Sequence, residues 1–442
     1  MHVEAPPSLG GLVSRSRLLE VVKTPTDPRA RAEYLHWDKV RHLDPPPGLS
    51  AKEWWWQIKF GRALDAKPLP LTDASGEAFT FSLPDAVHRL LHHIDQQCSG
   101  QIAMPEVVTG DEQARQHYLV NSLMEEAIRS SQLEGAATSR KVAKELLRSG
   151  RAPKDRSERM ILNNYRAIRY MRDEIGSTLT PSAVLELQRI LTEGTLEDPS
   201  AAGRVQRPDE ERIAVVERLD GTVLHAPPPA EQLPARLAAM CAFANEPIDG
   251  ERFIHPVVRG ILLHFWLAYD HPFEDGNGRT ARALFYWYMR VHGYWLVEYL
   301  SISHILREGP SKYTKAFLLT ETDDRDTTYF LLFQLGVIER AIAQFHRYLK
   351  RKVSEVRSVE RLVDSAAHFN HRQLALLSDA LHSPERTYTI GGHANSHDVT
   401  HESARTDLTD LADRGLIDRR KEGRQWIFTA PADLGERLNA AR

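Results

Sequence analysis

Cysteine is almost missing from these 442 residues: Cys98 and Cys241 are the whole supply. Two thiols build neither a disulfide framework nor a cysteine-based zinc site, so the fold must rest on an apolar core, and a reducing compartment is its natural setting. Excess charge of one sign is missing too. The 57 Lys/Arg stand against 60 Asp/Glu, a net charge of −3, which excludes a global basic field for nucleic acid. There is no long hydrophobic run: the most apolar helical stretch, 257–269, is short and interrupted by Arg259 and His264. No basic stretch followed by an apolar segment opens the chain, so the expectation is a cytoplasmic protein with no membrane partner.

What is present is ordinary globular material, 42% hydrophobic and 26% charged, enough for about three domains at roughly 150 residues each. Residues 1–82 are punctuated by Pro6, Pro7, Pro25, Pro28 and Pro45 to Pro47, so helices there must be brief. The cluster Trp54, Trp55, Trp56 reads as docking area against a neighbouring core. From Leu83 apolar residues recur every three or four positions, through 87–94, 119–128, 159–171, 181–191, 230–243, 257–269, 280–291 and 329–348. That period predicts a mainly α domain over 83–365. One interruption, 213–216 and 222–224 around Asp220-Gly221, predicts a small β-hairpin, ended by Pro227 to Pro229. Residues 366–442 change again, to a helix from His371, a helix from His401 capped by Thr400, a glycine turn and two strands around Gly423. This order resembles a winged helix-turn-helix.

The densest chemistry lies in HPFEDGNGRTAR, His271 to Arg282. Gly276, Asn277 and Gly278 open a helix, where outward-facing amides and the positive end of the helix dipole bind anions. Arg279 and Arg282, three apart on one face, suit further phosphate oxygens. Asp275 would repel a phosphate unless a cation came between them, and magnesium fits that demand. His271 is placed to accept a proton from an attacking hydroxyl, while Phe273 anchors the loop in the core.

This segment resembles the active-site motif of the Fic family, His-x-Phe-x-acid-Gly-Asn-Gly-Arg-x-x-Arg, at every specified position. The resemblance implies transfer of AMP from ATP to a hydroxyl side chain of a target protein, with Mg2+ between the α- and β-phosphates. His271 would be the base and Asp275 the metal ligand. Gly276, Asn277, Gly278, Arg279, Thr280 and Arg282 would hold the nucleotide, Arg282 at the γ-phosphate. The hairpin would be the family's flap, on which Ile213, Ala214, Val215 and Val216 receive the target by strand pairing. The family's paired tyrosines are replaced here by Lys312-Tyr313, so Tyr313 is left between an adenine contact and a core role.

A second motif lies upstream. Ser130 and Glu134 are four apart, on one face of a helix that Gly135 can terminate. The resemblance makes this the inhibitory element of the class that carries it before the catalytic core, on a helix at about 120–135. Glu134 would pair with Arg282 and displace the γ-phosphate; removal of AMP by the same site stays open. The resemblance covers roughly residues 85–350.

The C-terminal module could meet DNA through Ser403, Arg405 and Thr406, with Arg419, Arg420, Lys421 and Arg424 on the wing. Its 10 Lys/Arg against 11 Asp/Glu, a net of −1, weigh against a strong DNA binder. Docking to the catalytic domain, homodimerisation and partner binding therefore stay open beside DNA, as does self-modification. His393, His397 and His401 recur every four residues, but Asp398 to Thr400 breaks the helix between them, which disfavours a metal. Two alternatives to AMP transfer share the loop: a nucleotide-responsive DNA-binding regulator, and transfer of another phosphate-containing group.

Overall fold

A computed structural model describes all residues except 1–2, 100–111, 213–214, 217–222, 251–252, 363–368, 424 and 441–442. Four helices open the described chain: α1 (Leu18–Lys23), α2 (Pro28–Glu33), α3 (Trp37–Val40) and α4 (Ala51–Ala63). Pro28 occupies the first turn of α2, where no N–H is needed. A capping box starts α4: Glu53 N–H donates to Ser50 Oγ, and the Glu53 carboxylate accepts from Ser50 N–H. Arg17 and the Ser50 amide together hold the Glu53 carboxyl down at about 2. Trp54 and Trp55 are fully buried here, packed with Val21, Leu35, Trp37, Val40 and Ile58. The tryptophans thus build a small core from the N-terminal segment's own residues, where docking area had been expected.

Strands β1 (Lys67–Thr72) and β2 (Ala78–Phe81) form an antiparallel hairpin that the sequence pattern did not signal. Pro68 and Pro70 interrupt the alternation in β1. Then follow α5 (Asp85–Cys98), α6 (Glu112–Leu133), α7 (Arg140–Ser149), α8 (Arg156–Asp173) and α9 (Pro181–Thr192). The antiparallel pair β3 (Val215–Val216) and β4 (Val223–His225) comes next, with α10 (Leu233–Asn245), α11 (Pro256–Asp270), α12 (Asn277–Val291), α13 (Ile302–Glu308), α14 (Pro310–Thr322) and α15 (Thr328–Leu362). The chain closes with α16 (His371–His382), β5 (Thr387–Thr389), α17 (Ile390–His397), α18 (His401–Asp413), β6 (Asp418–Glu422), β7 (Gln425–Thr429) and α19 (Leu434–Ala440). The fold is mainly α.

Compactness divides the chain into two units, each built from separated stretches. The first comprises 1–99, 166–297 and 305–339. At its centre α11 packs along α12, and α11 is buried from Val257 to Asp270 apart from the half-buried Ala268. Gly260 permits the approach: a Cβ there would stand 3.3 Å from Tyr288 Cδ1 and 3.4 Å from Met289 Sδ.

The second unit comprises 100–165, 298–304 and 340–442. Val120, Met124, Ile128, Leu147 and Ile161 join α6, α7 and α8 in one core. Leu377, Leu408, Leu411, Phe428 and Leu438 form another around α16, α18 and the sheet β5-β7-β6. Helix α17 packs against both α6 and α7, and Asn395 Nδ2 donates to Arg148 O at 2.6 Å, at the C-terminus of α7. His393 Nε2 lies 3.2 Å from Asp407 Oδ2, and the same carboxylate accepts from Asn370 Nδ2 and Arg372. Among the described residues no His, Cys, Asp and Glu group has metal-holding geometry.

Candidate active site

Helix α11 stops at Asp270 because His271 adopts the left-handed region, φ 44 and ψ 53, while its N–H returns to Leu267 O at 3.0 Å. That conformation is uncommon for a residue with a Cβ and costs about 1 kcal/mol, which the surrounding packing must offset. It turns the chain out of the helix and into the loop 272–276. Phe273 is fully buried, and burial of such a side chain stabilises by roughly 2 kcal/mol.

Asn277, 3% exposed, stitches the loop shut. Its Oδ1 accepts from Phe273 N at 2.9 Å, and its Nδ2 donates to Phe273 O at 2.7 Å. These two backbone bonds fix which end of the amide is which. The same Nδ2 lies 3.2 Å from His271 Nδ1, close enough to set the imidazole plane. The side chain that the resemblance assigned to the nucleotide thus also holds the His271 ring.

Helix α12 begins at Asn277 on a left-handed Gly276, φ 89, with no side-chain cap. A Cβ on Gly276 would come within 3.1 Å of Thr192 Cγ2, so handedness and space both require glycine. The first-turn amides of Asn277, Gly278 and Arg279 have no intrahelical acceptor, and the dipole adds positive potential at the same end. From α9, Gln188 braces the loop, donating Nε2 to Asp275 O at 3.1 Å and accepting Gly203 N at 2.6 Å.

Arg279 is fully buried: Nη1 donates to Leu191 O at 3.0 Å and Nη2 to Asp275 Oδ1 at 2.9 Å. Its guanidinium thus orients the acid. Thr280 is likewise buried, with Oγ1 donating to Gly276 O at 2.8 Å. Arg282 is buried one turn after Gly278. Burial, helped by the Arg282 charge, pushes the His264 imidazole down to about 3 and keeps it neutral. Tyr313 Oη meets His264 Nε2 at 2.8 Å, and its ring stands 5.2 Å from Phe317.

The Asp275 side chain is 32% exposed and also accepts from Gly276 N. Glu274 beside it is raised above the usual carboxylate range, first by burial and then by Asp198 and Glu210. One accessible carboxylate in a negative field, next to amides suited to phosphate, matches what Mg2+ asks of a protein. Behind the loop, Asp270 is held by Arg236, Nε–Oδ1 2.8 Å, and by Trp266 Nε1 at 3.0 Å.

The hairpin predicted ahead of this site is present as β3 and β4, with Val215 opposite His225 and Val216 opposite Val223. Ile213, Ala214 and the Asp220-Gly221 turn lie outside the described residues, as does Arg424. In the second unit, α6 ends at Leu133, and Gly135 follows in the left-handed region at φ 97. Ala136 N–H returns to Ser131 O at 3.0 Å, a Schellman-type stop. Ser130 is buried and Glu134 exposed. Side chains that the motif did not mark brace this end: Ser131 Oγ to Met160 O, Asn164 Nδ2 to Ala127 O, and Gln132 Nε2 to Thr138 O.

Residues 178–289 match the Fic/DOC family. Over 62 residues the chain is 40% identical to the protein adenylyltransferase Fic of Nematostella vectensis, a match spanning 14% of this chain and 14% of that relative's length. Among solved structures, a Fic family protein from Desulfovibrio desulfuricans is 17% identical with a TM-score of 0.49, over 79% of this chain and 97% of that one. Fic-1 from C. elegans is 17% identical with a TM-score of 0.48, over 77% and 94%.

Proposed function

We propose that the chain is a protein adenylyltransferase, moving AMP from ATP to a Ser, Thr or Tyr hydroxyl of a target protein. The observation that carries this reading is the uncapped start of α12, placed one short loop after a histidine held by Asn277. An anion seated on those amides lies beside a base, the arrangement that phosphoryl-group transfer requires. The match of 178–289 to the Fic/DOC family supports the same chemistry.

In this reading the target oxygen attacks the α-phosphorus, the bond to the β-phosphate breaks, pyrophosphate leaves, and His271 takes the hydroxyl proton. The amides of Asn277, Gly278 and Arg279 hold α- and β-phosphate oxygens. Arg282 holds the γ-phosphate, Arg279 sets the angle of Asp275, and Thr280 stiffens the helix start through Gly276 O. Tyr313 closes the adenine side. Asp275 would hold Mg2+, which would supply charge neutralisation to the phosphates. Val215 and Val216 offer the strand edge for the target, and the chain's own hydroxyls are acceptors by the same chemistry.

Glu134 restrains the reaction by pairing with Arg282 in place of the γ-phosphate, and the same carboxylate could orient water for AMP removal. No helix among the described residues is long and apolar enough to cross a membrane. The test is incubation with magnesium and labelled ATP: Glu134→Gly gains label over wild type, and adding His271→Ala abolishes it. Equal labelling of wild type and Glu134→Gly refutes the restraint. Adduct mass identifies the group transferred, including a phosphate-containing group other than AMP.

A second reading, a nucleotide-responsive DNA-binding regulator, draws on the order α16, β5, α17, α18, β6, β7, which resembles that of a winged helix, and on a β6 exposed along its whole length. Arg419 and Arg420 there pair with Asp413 and Glu422, which weakens the case. Absence of specific retention in a gel shift across a salt series removes it.

A further inference from the structure

We propose that Arg212 and His225 are positioning residues that fix both ends of the β3–β4 hairpin to the turn carrying His271. This inference rests on the adenylyltransferase reading, in which the hairpin receives the target.

The last carbonyls of a helix lack intrahelical partners and must be satisfied from elsewhere. At the end of α11, four consecutive carbonyls are taken by one neighbouring stretch of chain. Tyr269 O lies 2.6 Å from His225 Nε2. Asp270 O accepts from Arg212 Nη2 at 2.7 Å and His271 O from Arg212 Nη1 at 3.1 Å. Pro272 O accepts from the Gln206 amide at 2.8 Å. Arg212 is fixed in turn, with Nε donating to Pro228 O at 2.9 Å and Nη1 to Gln206 Oε1. His225 is fixed by Glu321 Oε2, 2.8 Å from Nδ1, and by its ring against Tyr269, centroids 4.6 Å apart.

The placement of the two residues in the hairpin gives these contacts their meaning. Arg212 stands three residues before β3, and His225 is the last residue of β4, opposite Val215. Each of these bonds runs to backbone or to a fixed partner, so neither side chain is needed to touch ATP or target. Their joint effect is to tie the strand edge and the base to one rigid turn. A hydroxyl delivered by strand pairing then arrives in a register set relative to His271, and a misplacement of about 1 Å at such a site costs up to roughly 100-fold in rate. A guanidinium spanning two adjacent carbonyls is not replaced by an ammonium, so Arg212→Lys retains one contact at most.

The test uses the full chain and reads hydrogen exchange by mass spectrometry without ligand, for wild type, Arg212→Ala, Arg212→Lys and His225→Gln. Losing such bonds should speed exchange roughly 10- to 100-fold in peptides covering both 223–228 and 269–278 in Arg212→Ala, with Arg212→Lys intermediate. Peptides from α12 beyond Ala283 stay protected, which separates uncoupling from unfolding. Carried into Glu134→Gly with labelled Mg-ATP, Arg212→Ala should lower kcat for self-labelling at least tenfold with the ATP KM within twofold. If exchange changes in only one of the two peptides, or kcat is kept, the positioning role is overturned. If Glu134→Gly incorporates no label with Arg212 intact, the adenylyltransferase reading fails while the exchange result still decides the anchoring.

Discussion

Arg236→Met places the heaviest demand on the account of the turn behind the base. Arg236 and Asp270 are 9% and 5% exposed, and Arg236 also donates Nη2 to Thr72 O at 2.5 Å. Methionine keeps much of the volume but leaves a buried carboxylate with Trp266 Nε1 as its remaining described partner. Removing one member of a buried ion pair costs about 3–5 kcal/mol, because the other charge stays desolvated. Burial already raises the Asp270 carboxyl, an effect that Arg236 opposes. A raised carboxyl contributes stability at low pH and loses it as the pH climbs through the folded value, and without Arg236 that value rises further. The deficit of the variant relative to wild type should therefore be smallest in acid and grow toward neutral pH. The assay is urea denaturation at several pH values, with the double variant Arg236→Met, Asp270→Asn closing a cycle. Neutralising the orphan should recover at least about 2 kcal/mol of the loss. A deficit below about 1 kcal/mol at pH 7, or no recovery in the double variant, would falsify the assignment of Asp270 as a desolvated, Arg236-dependent charge.

Gly276→Ala should cost about 1–2 kcal/mol for left-handed backbone and, with its Cβ pressed against Thr192 Cγ2, shift the first-turn amides, weakening ATP binding in calorimetry more than it lowers the melting temperature. Asn277→Ala strips the buried Phe273 N–H of its acceptor and should destabilise by about 1–3 kcal/mol; unchanged denaturation midpoints count against the loop stitch. Asp407 is opposed by burial but carried well below the usual carboxylate range by His393, Arg372 and Asn370. Its contribution is present above the ordinary value of 3.8 and is lost as pH falls. Urea denaturation at a series of pH values should therefore show wild type losing more unfolding free energy as the pH falls below 3.8 than Asp407→Asn, which starts less stable.

The candidate site was legible in the sequence because its residues are local: twelve consecutive positions hold His271, Asp275, the glycines and the arginines. The helices between 85 and 291, α7 excepted, were legible through their periods, and the β3–β4 pair through the apolar runs on either side of Asp220-Gly221. What holds the site was not, since it arrives from afar. Gln188 reaches Asp275 across 87 residues, Arg212 reaches His271 across 59, and His225 reaches Tyr269 across 44; no period marks any of them. Helix α17 escaped notice because Gly391 and Gly392 weaken its helical pattern, and β1 because of its prolines. The motif also suggested two arginines for phosphate, whereas Arg279 turns inward to Asp275, a difference that spacing alone cannot reveal.

The interleaving of the two units imposes an order on synthesis. The unit with His271 has all its residues once the ribosome has passed Glu339, whereas the unit with Ser130 and Glu134 draws its last stretch from Arg340 onward. Asn395, which seats α17 on the end of α7, is translated 247 residues after Arg148. At roughly 5–20 residues per second, α6 and α7 wait on the order of ten seconds or more for that partner. A nascent chain stalled short of residue 395 therefore carries the whole of His271 to Arg282 while α6 and α7 still lack the helix that packs on them.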